Sequence, residues 1–233
     1  MKPIFSTLFA TAMATGALFA GANAATFSMT TSGFSANGTG GGVGAGNDFQ
    51  EYTVDGVVMT VSAGMFTDTS NVGNAVVTPG ARDAEPRVYS NGTGLDHDGG
   101  NGLPNDGDHR VDGRNGNEVL ILSFDTAVQL ASAMFTYVES NDDFDLFMDS
   151  NGDGILERIA RRRDIPGGGL ADLVGLNLVS NLFGIGASGS NDEWKLRSVS
   201  VMEVSDVPLP AAFPLFLAGM AGFGFASRKK TVR

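Results

Sequence analysis

The chain is 233 residues long, carries a formal net charge of −11 and contains no cysteine. Without cysteine there is no disulfide scaffold, no cysteine nucleophile, no iron–sulfur cluster and no thiolate zinc site. With 26 acidic side chains against 15 basic ones, nucleic acid is excluded as a natural partner, since binding it requires basic groups that neutralise phosphate.

Residues 1–24 read as a secretory signal. Lys2 gives the positive start, Ile4 to Ala20 is apolar, and Ala22-Asn23-Ala24 is a small-x-small pattern that predicts cleavage by signal peptidase after Ala24. The body at 25–206 is then long enough for one domain with its own core. It holds 10 of the basic and all 26 of the acidic side chains, a net of −16. Such a surface stays soluble and suits divalent cations; extracellular carboxylate sites of about millimolar affinity bind calcium.

Thr26 to Met29 predicts a short strand. The run Gly38-Thr39-Gly40-Gly41-Gly42-Val43-Gly44-Ala45-Gly46 lacks the Lys-Ser/Thr of a phosphate loop and reads as a flexible loop. Val57, Met59 and Val61 alternate with Val58, Thr60 and Ser62, a period of two that predicts a strand in a hairpin-like region. Asn71 to Glu85 is polar and turn-rich, and Arg87-Val88-Tyr89 predicts a short strand. Tyr89 to Gly116 is saturated with Gly, Asn and Asp, which build turns. It predicts a long ordered loop lying over the domain, pinned by Leu95, Leu103 and Val111.

Val119 to Phe124 is apolar on both faces, as in a central strand covered on both sides. Asp125-Thr126-Ala127 predicts a turn, with further strands over Val128 to Leu130 and Ala133 to Val138. Phe144, Leu146 and Met148 alternate with Asp143, Asp145, Phe147 and Asp149. Ile155 to Arg163 fits a strand or a short helix, Pro166-Gly167-Gly168-Gly169 breaks it, and Leu170 to Ile185 also fits either. Glu193 to Val204 is the last strand. Many short strands between turn signals predict an all-β sandwich or jelly roll.

Chemistry concentrates at Asp149-Ser150-Asn151-Gly152-Asp153-Gly154-Ile155-Leu156-Glu157. Oxygen side chains at positions one, three and five, glycine at six and an apolar residue at eight form the front half of an EF-hand-type calcium loop. Position twelve is Ala160, so the bidentate Glu of the full motif is missing. The candidate ligands are Asp149, Asn151, Asp153 and Glu157, with Asp145 or Asp143 on the preceding strand to complete the shell around Ca2+ at a weak site. The same residues also spell an ion-free Asx-type turn. A second polar cluster comprises Asp96, His97, Asp98, Asp106, Asp108, His109 and Asp112. It reads as a solvated loop, a second calcium site or a transition-metal site. No G-x-S-x-G, H-E-x-x-H or S-x-x-K motif occurs, and chance carboxylate pairs are abundant in an acidic chain, so the expectation is a non-enzyme. Tyr52, Tyr89 and Tyr137 are the candidate aromatic platforms for a rival reading, a glycan-binding module. A secreted hydrolase is the third.

The end of the chain, 207–233, has three parts in order. Val207-Pro208-Leu209-Pro210-Ala211 is stiff, because two prolines fix φ. Ala212 to Ala226 carries no charge, an apolar stretch of about 15 to 18 residues at the short end of what spans a bilayer. Arg228, Lys229, Lys230 and Arg233 follow, a basic flank that belongs on the cytoplasmic side. This tail resembles the PEP-CTERM class of sorting signals in its VPLPA-CTERM variant, through Val207 to Ala211, Pro214-Leu215-Phe216-Leu217-Ala218-Gly219 and Arg228-Lys229-Lys230. The resemblance implies export through the inner membrane of a bacterium that makes an extracellular polysaccharide matrix. It also implies cleavage by an exosortase, and a final place at the cell surface or in the matrix beside exopolysaccharide. The run from Gly94 through Asp125 to Val201 is also similar to the exported β-domain of several proteins with such tails. The resulting expectation is an exported structural or adhesive protein with a calcium-stabilised β-sandwich.

Overall fold

The computed structural model describes residues 24–40, 49–68, 75–81, 84–96, 109–114 and 116–204. These form an all-β, antiparallel fold with one short helix. The order is β1 (Ala24–Ser28), α1 (Thr31–Asn37), β2 (Gly38–Gly40), β3 (Phe49–Val54), β4 (Val57–Phe66), β5 (Val77–Pro79) and β6 (Glu85–Tyr89). Then come β7 (Gly92–Asp96), β8 (Val111–Asp112), β9 (Asn117–Thr136), β10 (Asp143–Met148), β11 (Glu157–Asp164), β12 (Leu170–Asp172), β13 (Val179–Gly186) and β14 (Glu193–Glu203). The expected signal segment short of Ala24 and the whole of the expected sorting tail lie outside the described residues. Among the described residues no helix is long and apolar enough to cross a membrane.

The spine is β9, a 20-residue strand. Its first half, from Asn117 to Phe124, pairs with β4 on one side and β13 on the other. From β13 the sheet continues to β10 and β11, and from β4 to β3 and β2, with β5 also on β4. The second half of β9, from Val128 to Thr136, pairs with β14, while β12 pairs with it at Met134 to Ser132. On its other side β14 takes β1, β7 and β8, and β6 pairs with β7.

Alternation explains the core. Leu120, Leu122 and Phe124 point to one face and join a large apolar cluster with Phe27, Met59, Val61, Leu130, Phe135, Phe183, Trp194 and Val199. Rings from different strands meet inside this cluster: Phe27 meets Phe124 edge-on at 5.8 Å, and Phe135 meets Trp194 at 4.9 Å. Val119 and Ile121 point the other way, into a smaller cluster with Phe66, Ala75, Phe147 and Leu156. Two apolar faces on one strand account for the unbroken hydrophobic run at 119–122.

Three expectations fail locally. Asp125-Thr126-Ala127 makes no turn: β9 runs straight through, its three side chains exposed where the strand passes from one set of partners to the other. Asp125 Oδ1 instead accepts from the Val58 amide at 3.0 Å, doing for the start of β4 what a neighbouring strand would do. Tyr89 to Gly116 is not mostly loop where it is described, because it contains β7 and β8. Leu95 and Val111 are fully buried there; Leu103 lies outside the described residues. The glycine run begins as a strand, β2, paired with β3. Residues 157–164 and 179–186, open between helix and strand on sequence, are strands.

Candidate functional site

The turn between β10 and β11 brings Asp149, Asn151, Asp153 and Glu157 into one loop. Its shape comes from a chain of side-chain-to-backbone bonds. Asp149 Oδ1 accepts from the amides of Gly152 at 2.6 Å and Asn151 at 3.3 Å, and Oδ2 accepts from Gly154 at 2.8 Å. Asn151 Oδ1 accepts from the Asp153 amide at 2.9 Å, and Asp153 Oδ1 from the Ile155 amide at 2.8 Å. These are three successive Asx turns, each oxygen reaching two residues ahead. Gly152 and Gly154 take φ of +80° and +82°, which the turn requires and glycine permits. Asn151 Nδ2 donates to Asp153 Oδ2 at 3.0 Å, and Glu157 Oε2 accepts from the Ser150 amide at 3.0 Å and its hydroxyl at 2.8 Å. The base of the loop is fixed to β13: the Ser180 hydroxyl donates to Asp149 O at 2.8 Å. Burial pushes the Asp149 carboxyl up, but the amides of Gly154, Gly152, Asn151 and Asp153 outweigh it and hold it below the usual carboxylate range.

The structure does not bring Asp145 and Asp143 to this loop. A strand rises about 3.3 Å per residue, so both sit well down β10 from Asp149. Asp145, 1% exposed, faces the guanidinium of Arg158, whose Nη1 lies 3.4 Å from Asp145 Oδ1 and 2.7 Å from Asp68 Oδ1. Burial raises the Asp145 carboxyl above its ordinary value. Arg161 grips Asp68 through Nε at 3.2 Å and Nη2 at 2.8 Å, and that bond leads in holding Asp68 down to about 2. Asp143 stands opposite Asp164 in the β10–β11 register. Burial, then the charge of Asp192, then Asp164, push its carboxyl up to about 6. Among the described residues no three acidic or histidine side chains converge in a metal-holding group.

Of the second cluster, Asp96, His109 and Asp112 are described and the other members are not. Asp96 is buried and pairs with Arg87 at 2.5 Å. His109 stacks on Tyr89 with ring centres 5.5 Å apart. Asp112 is buried and its Oδ1 accepts from the Arg114 amide at 2.7 Å.

The three tyrosines divide. Tyr52 is 1% exposed, packs edge-on against Phe34, and burial lifts its hydroxyl to about 12, so it is no surface platform. Tyr89 and Tyr137 share one cation, Lys195, whose Nζ lies 3.9 Å from the first ring centre and 5.5 Å from the second. Sequence reasoning named the tyrosines but missed the cations. They lie at distant positions, and only the pairing of β14 with β7, β8 and β9 gathers them.

No known protein family, curated protein or solved structure matches this chain.

Proposed function

We propose that the chain is an exported structural or adhesive protein. In this reading its folded sheet is a β-sandwich that takes calcium at the turn between β10 and β11. The VPLPA tail and the signal segment supply the address: passage through the inner membrane, a membrane-held precursor, and exosortase processing for a place at the cell surface or in an exopolysaccharide matrix. The carrying observation is the loop at 149–157, where nested Asx turns gather Asp149, Asn151, Asp153 and Glu157 on one turn before any ion is considered.

The donors fit calcium in kind. All are hard oxygens, and Asp149 is held in its anionic form by four amides. They stand apart on the turn: among the described residues no three acidic or histidine side chains converge on one point, so a cation has to draw Asp149, Asp153 and Glu157 together. The ion would be held by Asp149, Asn151, Asp153 and Glu157, with water in the remaining positions, at an affinity on the order of 10⁻⁴ to 10⁻³ M. It would supply charge neutralisation and a tie between β10 and β11.

The test is thermal melting of the purified protein in EDTA and in about 10 mM calcium, ten or more times such a Kd. The expected rise is roughly 3 to 10 °C, smaller in magnesium, and absent in the double variant Asp149→Ala with Asp153→Ala. Identical melting of the wild type in EDTA and calcium would leave the loop a turn and nothing more.

A further inference from the structure

We propose that the cluster of Tyr137, Arg110 and Arg114, backed by Tyr89 and Lys195, is a binding subsite for a carboxylated sugar ring, a uronate unit. The cluster is assembled where four elements end together. Tyr89 closes β6, Tyr137 follows β9, Lys195 lies on β14, and Arg110 and Arg114 flank β8. Tyr137 is 50% exposed, although its ring has two cations against it. Lys195 Nζ sits 5.5 Å and Arg110 Cζ 5.1 Å from the ring centre, and Asn91 Nδ2 donates to its hydroxyl at 2.6 Å. A flat, exposed, positioned aromatic ring is what the apolar face of a sugar stacks on.

The backbone singles out the same place. Tyr137 and His109 have φ of +59° and +55°. For large side chains such a conformation is strained, and strain of this kind clusters at ligand sites. Among the described residues the other non-glycine ones with positive φ are Asp55 in a hairpin turn, Asn177 capping a 3-10 turn, and Arg162. The two aromatic ones meet here, since His109 stacks on Tyr89, which shares Lys195 with Tyr137. Gly94 lets β7 run so close to the His109 carbonyl that a Cβ would lie 1.8 Å from it, which holds the 109 backbone against the sheet.

The cations give the ligand its charge. Residues 25–206 hold 10 basic side chains against 26 acidic ones, yet Arg110, Arg114 and Lys195 gather here. Arg110 and Arg114 both reach the single carboxylate of Glu193. The side chain of Arg114 is 53% exposed, and its guanidinium carries five N–H donors in a fork that suits a second carboxylate besides Glu193. The acidic body repels a polyanion, but at physiological salt that repulsion is screened beyond about 8 Å, and the contact with the two arginines is shorter than that.

The probes are a galacturonate oligomer and its methyl ester, which has the same rings without the charge, titrated into the full-length protein in EDTA. The acid should bind at least tenfold more tightly than the ester. Tyr137→Gly, whose backbone suits φ of +59°, should lose at least tenfold in affinity, as should Arg114→Gln, while Tyr137→Phe should stay within about threefold. Equal binding of acid and ester, or unchanged binding by Tyr137→Gly, overturns the proposal. So does binding of neither, or binding that appears only when calcium is added, which would move the site to the β10–β11 turn.

Discussion

Arg158 shows how a single side chain ties the outer strands to the rest of the sheet. Its side chain is fully buried, with Nη1 on Asp68 and Asp145, and Asp145 is equally buried. Removing one partner of such a pair leaves the other charge uncompensated, at a cost of about 3 to 5 kcal/mol. Arg158→Ala should therefore lower the melting temperature by roughly 6 to 20 °C at neutral pH. The loss should shrink in acid, because Asp145, already raised by burial, then takes a proton and sheds the stranded charge. Adding Asp145→Leu to Arg158→Ala should restore part of the loss. Equal melting losses in the single and double variants would show that packing of the arginine stem, not its charge, is what matters. None of this is legible in the sequence from Ile155 to Arg163, which fits a strand or a short helix and ends in three arginines. The decisive arginine is Arg158, and Asp68 meets it from 90 positions away.

At the scale of elements, the β10–β11 hairpin opposes two carboxylates, Asp143 and Asp164, in direct register. Like charges opposite one another destabilise a strand pair; here burial first, then the charge of Asp192, then Asp164 raise the Asp143 carboxyl to about 6. A folded-state value above the unfolded one of about 3.9 means stability that is fully present below pH 4 and lost as pH rises through 6. Asp68, held at about 2, acts in the opposite sense: its stabilisation is present above pH 4 and lost as pH falls through 2. Melting temperature should thus peak between about pH 4 and 5. Asp143→Asn should flatten the decline above pH 5 and stabilise the protein at pH 7 by on the order of 1 kcal/mol once solvent screening is counted. An unchanged profile in that variant would place the pH dependence elsewhere. Strand alternation made β10 readable, and the Asp-Asn-Asp-Gly spacing made its turn readable, because both signals are local. What stands opposite each β10 residue is harder to read, because β11 fits helix or strand on sequence and its pairing with β10 contains two register shifts; the spacing therefore points Asp143 and Asp145 at the turn rather than at Asp164 and Arg158. Strand β7 was unreadable for a related reason. Gly92-Thr93-Gly94 has the composition of a loop, but Gly94 is there to admit the His109 backbone.

At the scale of the whole molecule, the first and last strands lie side by side. Ala24 pairs with Met202 and Ser28 with Ser198, so β1 closes the outer side of β14. The first and last described residues of the sheet are therefore neighbours, and a signal segment and a sorting tail, as proposed, would join the domain at adjacent positions. Cleavage after Ala24 keeps Ala25 to Ser28 on that edge, whereas a cut only a few residues later would remove Phe27, which is fully buried against Phe124. Loss of a buried Phe side chain costs about 3 to 5 kcal/mol, so Phe27→Ala should lower the melting temperature by roughly 6 to 20 °C. N-terminal sequencing of the exported protein should begin at Ala25; a mature chain beginning beyond Phe27 would refute that placement. The other end obeys the same geometry. Processing at the Val207 to Ala211 motif leaves β14, which ends at Glu203, intact with a few residues to spare. A change of Pro208 and Pro210 together to Ala removes the fixed φ of the motif without touching the sheet. That double variant should fold and melt like the wild type, yet accumulate as the membrane-held precursor. Its release in normal amount would show that the stiff motif is not what the processing enzyme reads.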